Sequence, residues 1–337
     1  MQPLENDKIL PFANLGIQMR MEDYLLDKEP VIQRQYQLNP WFTPEFIKLS
    51  FQLVAEMLNL EYLKHKFNKG YPQLPNKTVG LVPDGMRPLS AFPDLLCVLM
   101  AGCDCALKQH PKDELLLPLL LQELEALEPT IRGRVRMVEK LPPCDAVIVQ
   151  DMEQNTAVWE HYLQKIPHLV RPYQSSVALL TGKESPQELT ALASDISWFF
   201  GRPRAAVRTL LVPKDYDFVP LLQSLARQSH SLAQHHQLLN HLEYQKSVRL
   251  MNKRFYMDAG TFLLVEDTQE IAPTGVIRYV YYQKPSEVQE WLRERKETIY
   301  TVVGQGFDGM ETKPFGSVYA DKDLSLDTTI HFLQTIG

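Results

Sequence analysis

Apolar positions along the chain follow two rhythms. Short apolar runs bounded by turn residues read as buried strands at Val79–Val82, Val135–Val138, Ala146–Val149, His168–Val170 and Ser176–Leu180. Further runs follow at Thr209–Val212, Phe262–Val265, Val276–Tyr282 and Ile299–Val303. Between them lie segments with helical spacing. Ile9, Phe12, Leu15 and Met19 mark a helix in residues 5–27, and a polar connector from Asp27 to Asn39 follows it. Thr43 caps a helix that has Pro44 in its first turn and runs to about Leu58; Leu60–Phe67 continues the pattern until Asn68-Lys69-Gly70.

The stretch from Val79 to Asp113 organises the rest. A strand meets the turn Pro83–Pro88, an apolar helix runs from Leu89 to Ala101, Gly102 closes it, and a second strand begins at Cys103. This is a βαβ unit whose helix is long enough for a crossover. Ligands of open α/β folds sit at the carboxyl ends of such strands, so Asp84-Gly85-Met86-Arg87-Pro88 is the first place to look for chemistry. Later helices are expected from Asp113 to Leu127, at Thr156–Gln164, at Val219–Arg227, at Tyr244–Met251 and from Ser286.

The sequence restarts after Thr181-Gly182. Ser185-Pro186-Gln187-Glu188 is a capping box with proline at the first helical position, opening a helix to Phe200. Strand and helix alternate on both sides of Gly182. The pattern predicts two α/β domains with mostly parallel sheets, divided at Gly182.

Composition narrows the function classes. A chain of 337 residues with 45% hydrophobic and 23% charged residues suits a globular protein with a large core. A net charge of −6 argues against a general nucleic-acid binder. No apolar run approaches the roughly 18 residues of a membrane span. MQPLENDKIL lacks the features of a signal peptide, and the four cysteines, Cys97, Cys103, Cys105 and Cys144, are read as reduced thiols of a cytoplasmic protein.

Several motifs invite chemistry. Gly304-Gln305-Gly306-Phe307-Asp308-Gly309 matches the dinucleotide fingerprint, but Pro314 and Gly316 stand where its helix should begin, so a loop is the better reading. Cys103 and Cys105 alternate onto one strand face and lack zinc-site spacing, which favours packing over metal binding. His230, His235, His236 and His241 fall in a helical stretch without the HExxH pattern, and a solvated helix face is expected. Arg202, Arg204 and Arg208 make the 201–208 loop basic, and the spacing admits either a solvated loop or an anion site.

Six stretches, taken together in order and spacing, resemble the long-chain type of acyl-CoA reductase, a relative of the aldehyde dehydrogenases. They are NPWFTPEF, VGLVPDGMRPLSAFPDLLCVLMAG, ALKQHPKDELLLP, HLVRPYQSSVALLTGKE, LLVPKDYDF and HLEYQKSVRLMN. The resemblance spans most of the chain. It implies an aldehyde-dehydrogenase-like fold of two Rossmann-like three-layer α/β/α domains. The first, 1–182, would be of nicotinamide-cofactor type, with the tail 312–337 returning to it, and 183–311 would be of catalytic type. In that family a cysteine thiolate attacks an acyl thioester, CoA leaves, and NADPH or NADH delivers hydride to yield the aldehyde.

The resemblance also locates three departures. The family's oxyanion asparagine lies in a Gly-Asn-x-Pro turn that here reads Gly85-Met86-Arg87-Pro88, and a thioether donates no hydrogen bond. Loss of one such donor costs about 2.7–4 kcal/mol in the barrier. An ungapped reading from Gly201 to Pro213 puts Arg204 at the position of the nucleophilic cysteine, and no cysteine follows Cys144. The family's glycine-rich cofactor loop is replaced by Gln150-Asp151-Met152-Glu153-Gln154-Asn155-Thr156, whose carboxylates repel a pyrophosphate. By contrast, Lys108 matches the lysine that contacts the cofactor's adenosine ribose. Glu270 matches the glutamate that holds the nicotinamide ribose, and Phe315-Gly316 echoes a pair near the family's C-terminus.

The expected function is therefore an acyl-CoA reductase-like protein without catalysis. It would serve as a binding or scaffolding partner for acyl-CoA, an acyl carrier protein or an active reductase, with NADP or NAD as the cofactor if one binds. Dimers are common in the superfamily, and a homodimer is admitted. The alternative is a working NAD(P)H-dependent reductase whose nucleophile is Cys103, Cys105 or Cys144, and it requires one of these thiols to face the cleft between domains.

Overall fold

A computed structural model describes residues 6–67, 71–151, 155–228, 232–266, 272–307, 310–319 and 323–336. Two compact units emerge. The first comprises Met1–Pro172 and Lys322–Gly337, and the second Tyr173–Asp321. The chain thus passes into the second unit ahead of Gly182, because the strand Ser175–Leu179 hydrogen-bonds only within the second sheet.

In the first unit the helices α1 (Asn6–Met19), α2 (Glu29–Leu38), α3 (Pro44–Met57) and α4 (Leu60–Lys66) precede the βαβ run. There follow β1 (Thr78–Val82), α5 (Phe92–Met100), β2 (Asp104–Lys108), α6 (Leu116–Leu127) and β3 (Val135–Val138). The run ends with β4 (Ala146–Gln150), α7 (Thr156–Leu163) and β5 (His168–Arg171). The strands form one parallel sheet in the order β3-β2-β1-β4-β5. Alternation along the strands separates two apolar layers. Val79, Leu81, Cys105, Leu107, Ala146 and Ile148 face the large helical core, while Val82, Val147 and Val149 face Leu163 and Trp159 of α7. The chain leaves β1 in one direction toward β2 and β3, then returns to β4 and β5, which makes β1/β4 the topological switch point.

The second unit contains β6 (Ser175–Leu179), α8 (Pro186–Ser197), β7 (Val207–Pro213), α9 (Val219–Gln228) and α10 (His236–Met251). It continues with β8 (Met257–Asp258), β9 (Leu263–Glu266), β10 (Val276–Tyr282), α11 (Pro285–Glu294) and β11 (Ile299–Gly304). Its sheet runs β11-β6-β7-β10-β9-β8, parallel except for β8 on β9. The expected capping box is present: the Ser185 hydroxyl accepts from Glu188 N, and the Glu188 carboxylate accepts from Ser185 N. None of the helices among the described residues is long and apolar enough to cross a membrane.

The structure departs from the sequence reading in several elements. The connector from Asp27 to Asn39 contains α2, whose Ile32 and Gln35 are fully buried. Gln35 is polar to a pattern count but structural in place: its amide donates to Lys112 O (3.0 Å) and accepts from Leu115 N (3.1 Å). The C-terminal tail holds a further helix, α12 (Asp323–Thr335), which buries Leu326, Phe332 and Leu333 in the first unit. The helix expected to reach Phe200 ends at Ser197, because Phe199 and Phe200 adopt left-handed backbone conformations. Arg208, assigned to a basic loop, lies within β7 and is buried.

One buried polar cluster joins four elements of the first unit. Arg171 of β5 donates from Nη1 to Asp94 Oδ2 (2.6 Å) and from Nη2 to Asp94 Oδ1 (2.8 Å), a bidentate pair with the α5 carboxylate. Thr329 of α12 donates to Asp94 Oδ1 (2.5 Å), Gln150 of β4 donates to Asp94 Oδ2 (2.8 Å), and Arg171 also donates to the Thr329 hydroxyl. Burial pushes the Asp94 carboxyl up. The charge of Arg171 and the hydrogen bonds from Arg171, Thr329 and Gln150 outweigh it, so the carboxyl stays below its ordinary value. Removing either partner strands a buried charge. D94A and R171A are each expected to lose about 3–5 kcal/mol in urea unfolding, whereas the apolar pair D94L/R171M loses less than either. Additive losses in the double variant would contradict the coupling.

A second carboxylate sets a pH dependence. Asp195 of α8 is buried and accepts from Gly316 N (2.6 Å) and Val318 N (3.3 Å). Burial raises its pKa to about 7 against the opposing pull of those two amides. Between about pH 4, the unfolded value, and about 7, the folded chain holds this proton more tightly than the unfolded chain. This group's contribution to stability therefore falls as pH rises through that window, by up to ~1.4 kcal/mol per pH unit. D195N keeps an acceptor for the amides and should flatten that part of the stability–pH curve, measured by thermal unfolding. An unchanged slope would show that Asp195 does not set it.

Candidate functional site: a carboxyl-edge cleft and an arginine cluster

A cleft of about 490 Å³ opens at the carboxyl edge of the first sheet, over the β1/β4 switch point. Val82, Pro83 and Asp84 leave β1 into it, Val149, Gln150 and Asp151 leave β4, and Lys108, Gln109 and His110 leave β2. Glu114, Glu139, Asn155 and Trp159 complete the wall. The ammonium of Lys108 lies 6.0 Å from the Trp159 ring centroid, a long cation–π contact.

The turn after β1 is built around Gly85. Its φ of +58° suits glycine, and a Cβ there would overlap the His110 ring. Met86 N donates to Asp84 Oδ1 (3.0 Å), and Asp84 N donates to Gln150 Oε1 (3.3 Å), which ties the turn to β4. Leu89 is held at a φ of +58°, with its N–H on Asp113 Oδ2 (2.7 Å). Asp113 therefore anchors this turn, upstream of α6, which starts only at Leu116.

In the second unit Arg204 lies at the amino edge of the sheet. Phe199 (φ 53°, ψ 32°), Phe200 (φ 60°, ψ 26°) and Gly201 (φ 63°) form a left-handed turn that leads into it. Left-handed backbone costs a non-glycine residue about 1–2 kcal/mol. Burial holds both phenylalanines there: Phe199 packs on Tyr319 (5.3 Å between centroids) and Phe200 on His235 (4.4 Å). The guanidinium of Arg204 stacks on Tyr300 (4.7 Å) and donates to Gln174 Oε1 (2.8 Å). Arg208 donates to the Tyr173 hydroxyl (2.7 Å), Ala272 O (3.4 Å) and Arg202 O (2.5 Å).

No family model matches the sequence, and no curated protein matches it. Solved structures do match. A putative aldehyde dehydrogenase from Burkholderia cenocepacia aligns with a TM-score of 0.62 at 12% identity, covering 96% of this chain and 77% of that one. An acetylating aldehyde dehydrogenase from Geobacillus thermoglucosidasius aligns with a TM-score of 0.60 at 11% identity, over 90% of this chain and 77% of that one. A betaine aldehyde dehydrogenase from Staphylococcus aureus, solved with NAD+, gives 0.61 at 12% identity, over 90% of this chain and 72% of that one.

The chain has the aldehyde dehydrogenase fold. At these identities the likeness fixes the fold, and the chemistry must be read from this chain's own residues.

By the switch-point rule the carboxyl-edge cleft is where an open α/β sheet takes a ligand, a dinucleotide among them. The lining does not fit the pyrophosphate of such a cofactor. Asp84, Glu114, Glu139 and Asp151 face Lys108 as the one ammonium among the lining residues. A phosphate about 6 Å from a carboxylate meets about 3 kcal/mol of repulsion at an effective dielectric of about 20. Asp151 is buried and accepts from the Thr156 hydroxyl (2.7 Å) at the start of α7, where a phosphate would need free donors. Lys108 and Trp159 suit the uncharged nucleoside part of a ligand better than its phosphates.

The expected site residues fall in both units. Lys108 lines the cleft, Met86 occupies the turn beside it, and Arg204 belongs to the second unit. Glu270, His230 and the Asp308-Gly309 end of the glycine motif lie outside the described residues. His235 is no solvated helix residue: it is buried, and its Nδ1 accepts from Leu238 N (3.1 Å) as the N-cap of α10. Among the described residues no cluster of histidine, cysteine and carboxylate side chains could hold a metal. His110, Glu139 and Trp159 were missed by motif reading. Position was the available signal, since Glu139 directly follows β3 and His110 lies two residues past β2.

The thiols lie away from the cleft. Cys97, Cys103 and Cys105 are fully buried. Cys144, half-buried, precedes β4 at the opposite edge, with its Sγ 3.3 Å from where a Gly80 Cβ would stand. Cys103 precedes β2, and Cys105 sits three positions before Lys108, roughly 10 Å along a strand. Burial pushes Cys103 up to about 11 and raises Cys97, Cys105 and Cys144 as well. Reactivity follows the thiolate fraction. Iodoacetamide at neutral pH should therefore label Cys144 slowly and the other three only after denaturation, as read by intact mass. Rapid labelling of a second thiol in the folded protein would contradict this.

Proposed function

We propose that this chain is a non-catalytic relative of the acyl-CoA reductases, a binding or scaffolding protein that handles acyl groups without reducing them. The carrying observation is the placement of the thiols: all four belong to the packing of the first unit, and none has a lowered pKa. Thioester reduction by this chemistry begins with a thiolate attacking an acyl carbon from about 3–3.5 Å.

Three further features support the reading. Met86 brings a thioether, not an amide donor, to the turn after β1. Arg204 occupies the position that the family resemblance assigns to the nucleophile, and a guanidinium stays protonated. The acidic wall of the cleft disfavours a dinucleotide phosphate. The first unit then acts as a cofactor-type domain retained for its fold, and the second as a catalytic-type domain retained for binding. Ligands of this class are acyl-CoA or acyl carrier protein, and an active reductase is the natural protein partner. Thiols without disulfides suit the cytoplasm.

The test is a direct assay. Purified protein mixed with long-chain acyl-CoA and NADPH or NADH should oxidise no nicotinamide above the protein-free rate, while acyl-CoA still binds in calorimetry. Thioester-dependent oxidation that disappears when one cysteine is changed would overturn the reading and establish a working reductase.

A further inference from the structure

Helix α10 ends in an exposed knuckle that mixes apolar and basic side chains. Leu250 is 67% exposed, Met251 84% and Phe255 73%. Apolar residues scattered singly on a surface need no explanation, but three of this size within six positions do. Lys253 and Arg254 stand between them, both exposed, and neither pairs with a carboxylate among the described residues. The carboxylates behind the tip are engaged: Glu243 (3.0 Å) and Asp258 (2.9 Å) both bind Lys246. The backbone fixes the display. Arg254 N donates to Arg249 O (2.9 Å) and Lys253 N to Leu250 O (3.1 Å), a Schellman end in which Lys253 takes the left-handed position at a φ of +53°. Glycine fills such a position without strain, so the lysine holds its cation there against a backbone penalty. The Asn252 side chain donates to Val248 O (2.8 Å) and ties the turn to the helix.

We propose that this knuckle docks the chain on an anionic lipid bilayer, with Leu250, Met251 and Phe255 entering the interface and Lys253 and Arg254 meeting phosphate headgroups. Interleaved apolar and basic side chains suit that surface, because acyl chains take the first and headgroup charge the second. A chain of net charge −6 is repelled by anionic lipid as a whole, so only a locally basic surface can approach it. Tyr244 lies two turns back on the same face, 64% exposed and about 10 Å from Met251 along the helix axis. An inserted tip would place that phenol at headgroup depth, where an amphipathic ring is favoured. Size argues against a protein partner. A stable protein interface takes roughly 20–30 residues a side, and the knuckle offers the six exposed residues from Leu250 to Phe255.

The probes are vesicles of phosphatidylcholine alone and of phosphatidylcholine with phosphatidylglycerol, mixed with the full chain at low salt and sedimented. Binding is expected only where phosphatidylglycerol is present, and it should weaken as salt is raised. K253Q/R254Q should lower the affinity about 30-fold, or about fivefold for each surface cation removed. M251S/F255S should lower it more than about tenfold with both cations intact. All four side chains are exposed, so both variants should unfold at the parent's temperature. Hydrogen exchange on the vesicles should slow at 250–256 and stay unchanged at α7, where Val158 and Tyr162 are also exposed. The proposal is overturned if the two kinds of vesicle bind alike, if neither binds, if either variant binds as the parent does, or if the protection falls elsewhere. It is equally overturned if the chain without vesicles is a dimer that M251S/F255S splits, because a second copy would then cover the knuckle. None of these outcomes bears on thioester turnover, which the earlier assay decides by itself.

Discussion

The first unit depends on a single buried carboxylate. Asp94 enters the interior on α5, where water cannot solvate it, and only the Arg171 fork with Thr329 and Gln150 makes its charge tolerable. That requirement fixes more than a pair. Arg171 ends the edge strand β5, Gln150 ends β4, and Thr329 belongs to a helix far along the chain. Satisfying one carboxylate therefore sets the seat of α5 on the sheet, the end of β4 where the cleft opens, and the return of α12. Gln150 links this interior to the surface, since its Oε1 also receives Asp84 N from the turn beside the cleft.

The two edges described differ in charge for chemical reasons. At the carboxyl edge of the first sheet, strand ends deliver Asp84, Glu139 and Asp151, and Asp84 and Asp151 accept hydrogen bonds from Met86 N and the Thr156 hydroxyl. At the amino edge of the second sheet, a left-handed turn strained at Phe199 and Phe200 presents arginines held by tyrosine, glutamine and backbone carbonyls. Strain of that kind persists only where packing over-determines it, and it gathers where a segment must present side chains in one arrangement. The aromatic contacts of Phe199 and Phe200 supply that packing. The aldehyde dehydrogenase fold thus carries an acidic carboxyl edge in one unit and an arginine-bearing turn in the other.

Much of the architecture could be read from periodicity. Thr78–Val82, Val135–Val138, Ala146–Gln150 and Val276–Tyr282 are strands close to where short apolar runs put them, and the Ser185 capping box opens its helix as expected. The elements that were missed share a cause. Helix α2 is polar by count, yet Gln35 is fully buried because its amide closes the Lys112–Leu115 segment. Helix α12 reads as a tail until Thr329 meets Asp94 and Leu326 enters the core. Local pattern reports what a residue prefers in water, and these positions were decided by partners distant in sequence.

The same division holds for the site. The sequence by itself determined which groups exist: four thiols, all before residue 145, Met86 in the β1 turn, and Arg202, Arg204 and Arg208 in one short segment. Residue identity is covalent, so those facts need no structure. Only the tertiary structure decided that the thiols are core groups with raised pKa values, that Trp159 joins Lys108 at the cleft, and that Arg208 is a buried strand residue among neutral partners. Burial and charge pairing arise when strands and helices remote in sequence exclude water together, and no periodicity along one segment encodes that exclusion.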